Sequence, residues 1–408
     1  MALSNSEAAA LRELARRYAD VAFLPEQETR KNRWIKLNAL RPERPMVLID
    51  QLPWNELNGE GELDCAVKDP YWSRVETWMR RELYKWKHFP ADMVVDPYVK
   101  LPRPFHSTGW GLQPKVTHLR LDATGEVDSQ SMENLIRDPE DLEKIRMPEI
   151  SVDEEEIRGI AETADGLFDG ILPWKFTGEV MHLGAWDTIA YWMGVENCYI
   201  ELMDRPEMMH ALMERMTRGY LSQIEQMNRL RMFDGAEHYC HCSHTYRDDD
   251  PAEPSGTSDQ AWAFGLAQLF TSVSPAITAE FECTYMKRVF PRFKHIYYGC
   301  CDRLDDRIEL VAALPNVRKL SCSPWSHREA FAEKLPAGII MSNKPTPALL
   351  APDHFDEDAV RADLRRTMDA AKRYGKPLEL ILKDVSTVRY QRERLTRWSR
   401  IALEEAER

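Results

Sequence analysis

From about residue 150 onwards the chain alternates between short, continuous apolar runs and longer amphipathic stretches. GILPWKF (170 to 176), AEHYCHC (236 to 242), HIYYGCC (295 to 301), VRKLSCS (317 to 323), GIIMSNK (338 to 344) and LELILKD (378 to 384) are rich in aliphatic, aromatic and sulfur-bearing side chains. Such runs mark strands of a parallel sheet that is covered on both faces. Between them, the spacing predicts helices at 152–167, across a long zone from 186 to 231, and at 259–270, 276–290, 303–313, 326–334, 356–374 and 391–406. The first third is less regular. An amphipathic helix opens it, RPMVLIDQLPW (44 to 54) reads as a buried strand, the segment 69–89 as a helix, and MVVDPYVKLP (93 to 102) as a second strand. VTHLRL (116 to 121) has the alternation of a hairpin arm, and DPEDLEKIRMPE (138 to 149) is charged and expected to lie exposed.

About eight strand candidates interleaved with helices predict an α/β fold, a (β/α)8 TIM barrel. The barrel is expected over 36–408, with an N-terminal helical extension over 1–35. An open doubly wound sheet is the alternative. Neither G-x-G-x-x-G nor G-x-x-x-x-G-K-[ST] follows any of these strands, so the usual nucleotide fingerprints are missing.

Composition narrows the partners. A formal charge of −13, without basic runs interleaved with aromatics, argues against nucleic acid and anionic membranes and leaves a small molecule or another protein. The longest apolar runs, such as IELVAAL (308 to 314), fall far short of the roughly 20 residues a membrane span needs. A cytoplasmic address and reduced thiols are expected, because the opening segment reads as an amphipathic helix and five of the eight cysteines crowd between Cys240 and Cys301.

The barrel expectation gives the unusual residues a place, since active sites of that fold lie at the carboxyl ends of the strands. His241 and Cys242, then Cys300, Cys301 and Asp302, then Cys322 and Ser323, then Asn343 and Lys344, then Lys383 and Asp384 all fall there. Within EHYCHCSHTYRDDD (237 to 250), three histidines and two cysteines occupy seven residues. His241 or His238, Cys242, and Cys300 or Cys301 are a candidate soft ligand set for zinc with an open position. A reduced cysteine cluster lining a pocket and a redox pair of Cys300 with Cys301 are the alternatives. Period two puts Cys240 and Cys242 on one face and His241 on the other, so His241 and Cys242 serve together only if the strand has ended. Asp384, Asp302 and Glu282 are candidate general acids, with Tyr298 as a hydrogen-bond donor. Each has an ordinary reading too, as a salt bridge or helix cap, and Asp302 in particular as the cap of a helix from 303. Trp54, Trp174, Trp186 and Trp325 are candidate apolar walls.

The order YGCCDRLDDRIELVAALPNV, RKLSCSPW, GIIMSNKPTPALL and LELILKDVSTVRYQRERL resembles the C-terminal half of the uroporphyrinogen decarboxylase superfamily. SNKPTPALL (342 to 350) is similar to its G-N-x-x-P-x-x-L, and GEVMHLGAWDTIAYWMGVENCYIELMDRPEMMHALMERMT (178 to 217) to its pocket loop and following helix. NALRPERPMVLI (38 to 49) looks like its first strand, and the resemblance covers most of 35–405. The decarboxylase proper carries an arginine-rich loop where this chain reads MVLIDQLPWNEL, so the resemblance points to the cobalamin-dependent methyltransferase branch. It implies transfer of a methyl group from a small methoxylated or methylated-amine donor to a corrinoid held by a partner protein, with zinc as cofactor. The chain itself has no D-x-H-x-x-G cobalamin signature. Tyr298 stands where that branch has the histidine of H-x-C-G, Cys300 falls on the cysteine and Cys301 replaces the glycine, so the zinc set does not carry over whole. His182, Trp186, Trp54, Asn343, Lys344, Lys383 and Arg389 are the residues expected to contact substrate. A metal-independent lyase gripping a small carboxylate with Arg103 or Arg389 is the second reading, and a non-catalytic binding protein the third. A homodimer is the default assembly.

Overall fold

The structure is a computed structural model and describes residues 3–119, 129–233, 236–251 and 254–408. Two helices, Asn5–Ala22 and Pro25–Asn38, come first. Ser4 and Glu7 close a capping box on the first, and Pro25 opens the second where a missing N–H costs nothing. Seven strands then form the main sheet: β1 (Met46–Ile49), β2 (His182–Leu183), β3 (Trp262–Gly265), β4 (His295–Tyr298), β5 (Val317–Cys322), β6 (Ile340–Asn343) and β7 (Leu378–Leu382). Every pairing is parallel, and the spatial order is β1-β7-β6-β5-β4-β3-β2.

Alternation divides each strand between two covered faces. On the front, Met46, Leu48, Trp262, Phe264, Tyr297, Ile340 and Ile381 join Leu11, Leu14, Trp34 and Leu37 of the two N-terminal helices. On the back, Val47, Ile49, Ile296, Tyr298, Leu320, Met341, Leu380 and Leu382 pack under Leu212, Leu364, Leu395 and Trp398 of the helices Pro206–Arg229, Glu357–Arg373 and Glu393–Ala406. Burial on both sides is why these strands read as continuous apolar runs. No described helix is long and apolar enough to cross a membrane.

The expected α/β fold is present, but the main sheet does not close into eight strands. Among the described residues its ladder runs from β1 to β2 and stops at both. The segments expected to complete the ring pair elsewhere: Val99–Pro102 with Trp174–Thr177, and Tyr239–Cys240 with Ser243–His244 as a two-residue antiparallel hairpin. Beside β1 the chain offers a side chain instead of a strand. The Val47 N–H donates to Asp92 Oδ2 at 2.8 Å, the Asp92 N–H donates back to Val47 O at 2.9 Å, and Arg44 holds the Asp92 carboxylate at 2.7 Å. A carboxylate can satisfy an edge donor as well as a ladder can, so the edge is not left bare.

Three other expectations change. The helix expected at 259–270 is instead β3 flanked by short 3-10 turns, and its Gly265 leaves room for neighbouring rings: a Cβ there would lie 2.7 Å from Phe290. The helix expected from 303 shrinks to Ile308–Ala312, and the long zone from 186 divides into Ala185–Met193, Val195–Asp204 and Pro206–Arg229, broken at Gly194 (φ 79°) and before Pro206. Val116–Leu119 does pair with Ser129–Met132, and the last two residues of that expected arm lie outside the described residues.

The front face carries one fully buried ion pair. Lys319 on β5 donates to Glu379 on β7 at 2.7 Å, to Ser243 Oγ at 2.6 Å and to the His244 carbonyl at 3.0 Å. Both charged side chains are 0% exposed, and the ammonium also lies over the rings of Trp34 (5.3 Å) and Trp262 (5.6 Å). Lys319→Met strands a buried carboxylate and is expected to cost about 3–5 kcal/mol of unfolding free energy by urea titration. The double variant with Glu379→Leu should recover most of it. A single variant within about 1 kcal/mol of the parent would mean the pair does not hold the fold.

Candidate functional site

The carboxyl ends of the strands bring together part of the expected constellation. Lys383, one residue beyond β7, is 1% exposed and lies between two of the expected metal ligands: Nζ is 3.1 Å from His241 Nε2 and donates to Cys300 Sγ at 3.1 Å. Asp384 follows, exposed, with its carboxylate 3.5 Å from the same ammonium. Burial works to lower the Lys383 pKa, its neighbours Cys242, Cys300 and Asp384 raise it, and the net shift is upward. Lys383 is therefore charged at neutral pH.

Lys344, also 1% exposed, follows β6 on the same face. It donates to the Tyr297 hydroxyl, to Ser342 Oγ at 2.7 Å and to the Ser342 carbonyl at 3.2 Å, none of which is a carboxylate. Tyr297 in turn contacts Ser342 Oγ at 2.6 Å and Cys242 Sγ at 3.5 Å. His241 lies flat on Phe264, with ring centroids 4.0 Å apart and planes 7° from parallel, and the exposed His182 ring is 5.2 Å from the same Phe264. Burial lowers the His241 pKa and keeps the imidazole neutral.

Strain marks the same end of the sheet. Gln51, His241 and Asp384 have φ of 48°, 57° and 55°, a left-handed conformation that non-glycine residues adopt at a cost. The three are fastened by backbone and side chains. The Val385 N–H donates to Gln51 O at 3.1 Å, and Glu56 accepts from Thr387 Oγ1 and the Val388 N–H at 2.7 Å each. His241 takes its conformation at the turn of the 239–244 hairpin. The strand has thus ended where the two soft residues sit, yet they still diverge: His241 turns to Lys383 while Cys242 is buried against Tyr297.

Cys300 and Cys301 leave β4 through Gly299 (φ 88°), where a Cβ would meet Leu304 at 2.9 Å and Ser321 at 3.1 Å. Asp302 accepts the Cys300 N–H at 2.9 Å and so shapes this turn, whereas the helix it was expected to cap begins only at Ile308. The neighbouring Cys301, and after it burial, pushes Cys300 up to about 12, while Cys300 draws Cys301 down to about 7, and Gln268 Nε2 donates to Cys301 Sγ at 3.0 Å.

Other expected site residues lie elsewhere. Tyr298 points to the back face, where its hydroxyl donates to Glu282 at 3.3 Å; Glu282 is fully buried, has Oε2 without a partner, and is kept protonated by burial. Trp186 is buried on that side with its N–H on the Phe281 carbonyl, and Asn343 donates to Cys322 O and meets Thr367. Trp54 is half-buried against Tyr84 with Arg81 over its ring. Arg389 forms an exposed salt bridge with Asp353 at 2.8 Å, and Arg103 binds the Leu230 and Arg231 carbonyls. His238 lines a cavity of about 340 Å³ at the amino end of β3, with Lys31, Lys175, Arg247 and Trp262. Tyr297, Phe264, Ser342 and Gln268 were missed. Alternation in HIYYGCC placed the two tyrosines on opposite faces, which was the available signal for Tyr297.

The donor set does not fit a zinc ion. Among the described residues no three His, Cys, Asp or Glu side chains form a group that could hold a metal. The physical obstacle is Lys383, whose ammonium occupies the space between His241 and Cys300 where a dication would be repelled.

No family model matches the chain, and no curated protein matches it. A solved structure described as a methyltransferase from Methanosarcina mazei is similar to it, with a TM-score of 0.54 at 10% identity, covering 92% of this chain and 98% of that one. At that identity the likeness concerns the fold, and it extends over nearly the whole of both chains.

Asp187 is half-buried, and burial followed by the charge of Asp302 raises its pKa from 3.8 to about 6. Between those values the folded protein holds a proton that the unfolded chain releases, so stability falls as pH rises through the window. Asp187→Asn should flatten this fall by roughly 1–3 kcal/mol in urea titrations across the window. Parallel pH profiles for the two proteins would remove Asp187 as its source.

Proposed function

We propose that the chain is a methyltransferase that takes a methyl group from a small anionic methoxylated or methylated-amine donor and passes it to a corrinoid carried by a separate protein. The observation that carries the reading is the buried lysine pair, Lys344 and Lys383, at the strand ends of a fold shared with a methyltransferase. Both lysines bear on Cys242 and His241, and Lys344 spends its donors on neutral groups, so an anionic group of the substrate is the natural counter-charge. The reading treats the seven-stranded sheet as a variant of the (β/α)8 arrangement of the uroporphyrinogen decarboxylase superfamily.

The chain's own residues would act as follows. Lys344 and Lys383 hold the anion, and Phe264 and Tyr297 wall the space beside His241. When the methyl group leaves an ether, its oxygen keeps the bonding pair and needs a proton. Lys383 Nζ is placed to give it, and an ammonium suits a leaving oxygen of alkoxide or phenoxide basicity. His241 Nε2, a neutral acceptor at 3.1 Å, aims that ammonium, and Asp384 at 3.5 Å offsets its charge. This assigns Asp384 to sustaining Lys383 and the proton transfer to Lys383. A corrinoid, when presented by its partner, supplies the metal that accepts the methyl group. Trp325 and Tyr390, 76% and 74% exposed in the loops after β5 and β7, would flank it.

A metal-independent lyase of a small carboxylate is the second reading, because the same lysines would grip its substrate. Its expected arginines do not help, since Arg103 and Arg389 are engaged elsewhere. The test is a donor panel assayed with a corrinoid protein for methyl transfer and for carbon dioxide release. Methyl transfer should appear and fall by about 100-fold or more in Lys383→Met and Lys344→Met. Carbon dioxide release without methyl transfer would replace the proposal by the lyase.

A further inference from the structure

Of the eight cysteines, all unpaired, only Cys65 and Cys301 are exposed, and Cys300 is half-exposed. The methyl-transfer reading gives the sulfurs of Cys300 and Cys301 no task. Their surroundings are nevertheless specific. Cys301 Sγ accepts from Gln268 Nε2 at 3.0 Å, a hydrogen bond that stabilises a thiolate. Cys300 Sγ lies 3.1 Å from the Lys383 ammonium and against His241. Both sit in a segment without regular secondary structure between β4 and Ile308–Ala312. Cys65 is as accessible, and among the described residues its hydrogen-bond partners are Thr77 Oγ1 at 3.2 Å and the Leu63 carbonyl.

We propose that Cys300 and Cys301 are a peroxide-sensitive dithiol, a modification site at which a hydroperoxide joins the two adjacent sulfurs in a disulfide. The Cys301 thiolate attacks one peroxide oxygen, the O–O bond breaks, and the departing alkoxide or hydroxide takes a proton from solvent. Cys301 is then a sulfenic acid, two electrons having passed to the peroxide. Cys300, the next sulfur along the chain, stays beside the Lys383 ammonium. The Cys300 sulfur attacks the Cys301 sulfur, the S–S bond forms, and the S–O bond breaks to release water carrying the Cys300 proton. The product takes away the sulfur that Lys383 binds, so the oxidised protein has a rearranged lysine site. A thiol reductant reverses the reaction.

The test uses the full chain with hydrogen peroxide, read by intact mass and peptide mapping, with Cys65 as the internal reference. The peptide holding Cys300 and Cys301 is expected to lose two hydrogens, regain them with dithiothreitol, and react at least about tenfold faster than Cys65. In Cys300→Ser, the sulfenic acid at Cys301 should persist and be trapped by dimedone. In Lys383→Met it should be trapped transiently, because the resolving thiol has lost its cation. Two free thiols in that peptide at a peroxide concentration that oxidises Cys65 would overturn the proposal. So would dimedone labelling of wild-type Cys301 as strong as that of Cys300→Ser, since Cys300 would then not resolve it. Neither outcome depends on methyl transfer.

Discussion

The Lys319–Glu379 pair is the constraint on which the rest of the front face depends. Taking two charges out of water costs several kcal/mol for each ion, and only close geometry with further hydrogen bonds offsets it. Here the partners come from five separate parts of the chain: β5, β7, the 239–244 hairpin through Ser243 and His244, the helix Pro25–Asn38 through Trp34, and β3 through Trp262. Asn38 adds two bonds, to the His244 and Tyr246 carbonyls. A hairpin with two residues in each arm has little stability of its own. Its position is set by these bonds, and with it the place of His241.

Period two carries that constraint to the strand ends. Ile381 and Lys383 follow Glu379 on one face, and Ser321 follows Lys319, so a pair buried in the sheet fixes the ammonium that meets His241 and Cys300. The left-handed backbones of Gln51, His241 and Asp384 are the local cost of converging there. Glu56 offsets it by holding the loop after β7, accepting from the Val388 and Tyr390 N–H groups.

Most strands of the C-terminal half were legible because burial on both faces leaves a continuous apolar run, and so was the gathering of reactive residues at their ends. His241, Cys300, Lys344 and Lys383 were found that way. The face of each residue was not equally legible. Tyr298 and Asn343 fall in the right runs but on the back, where Glu282 and Thr367 receive them. The bulge between Ile296 and Tyr297 shifts the pairing of β4 with β5, a detail that no periodicity displays. β3 was hidden as well: WAFG is only four residues long between turn-forming segments, too short to stand out as an apolar run, and its Gly265 lies where a Cβ would meet Phe290 at 2.7 Å. Closure failed for a similar reason, since a single carboxylate, Asp92, does the work of an edge partner for Val47.

The replacement of a metal by a lysine is the point at which sequence and structure part most usefully. Soft side chains within a few residues of one another suggest a thiophilic ion, and the count of cysteines and histidines alone supports that reading. Count says nothing of the charge already present. Lys383 comes from the last strand, 82 residues beyond Cys301 by the numbering, and only the sheet order, which sets β7 beside β6 and β5 beside β4, brings it to His241 and Cys300. Once there, a fixed ammonium reverses the preference of the site. A dication is repelled, an anion is attracted, and the sulfurs become groups whose hydrogen bonding depends on a cation that the protein itself provides.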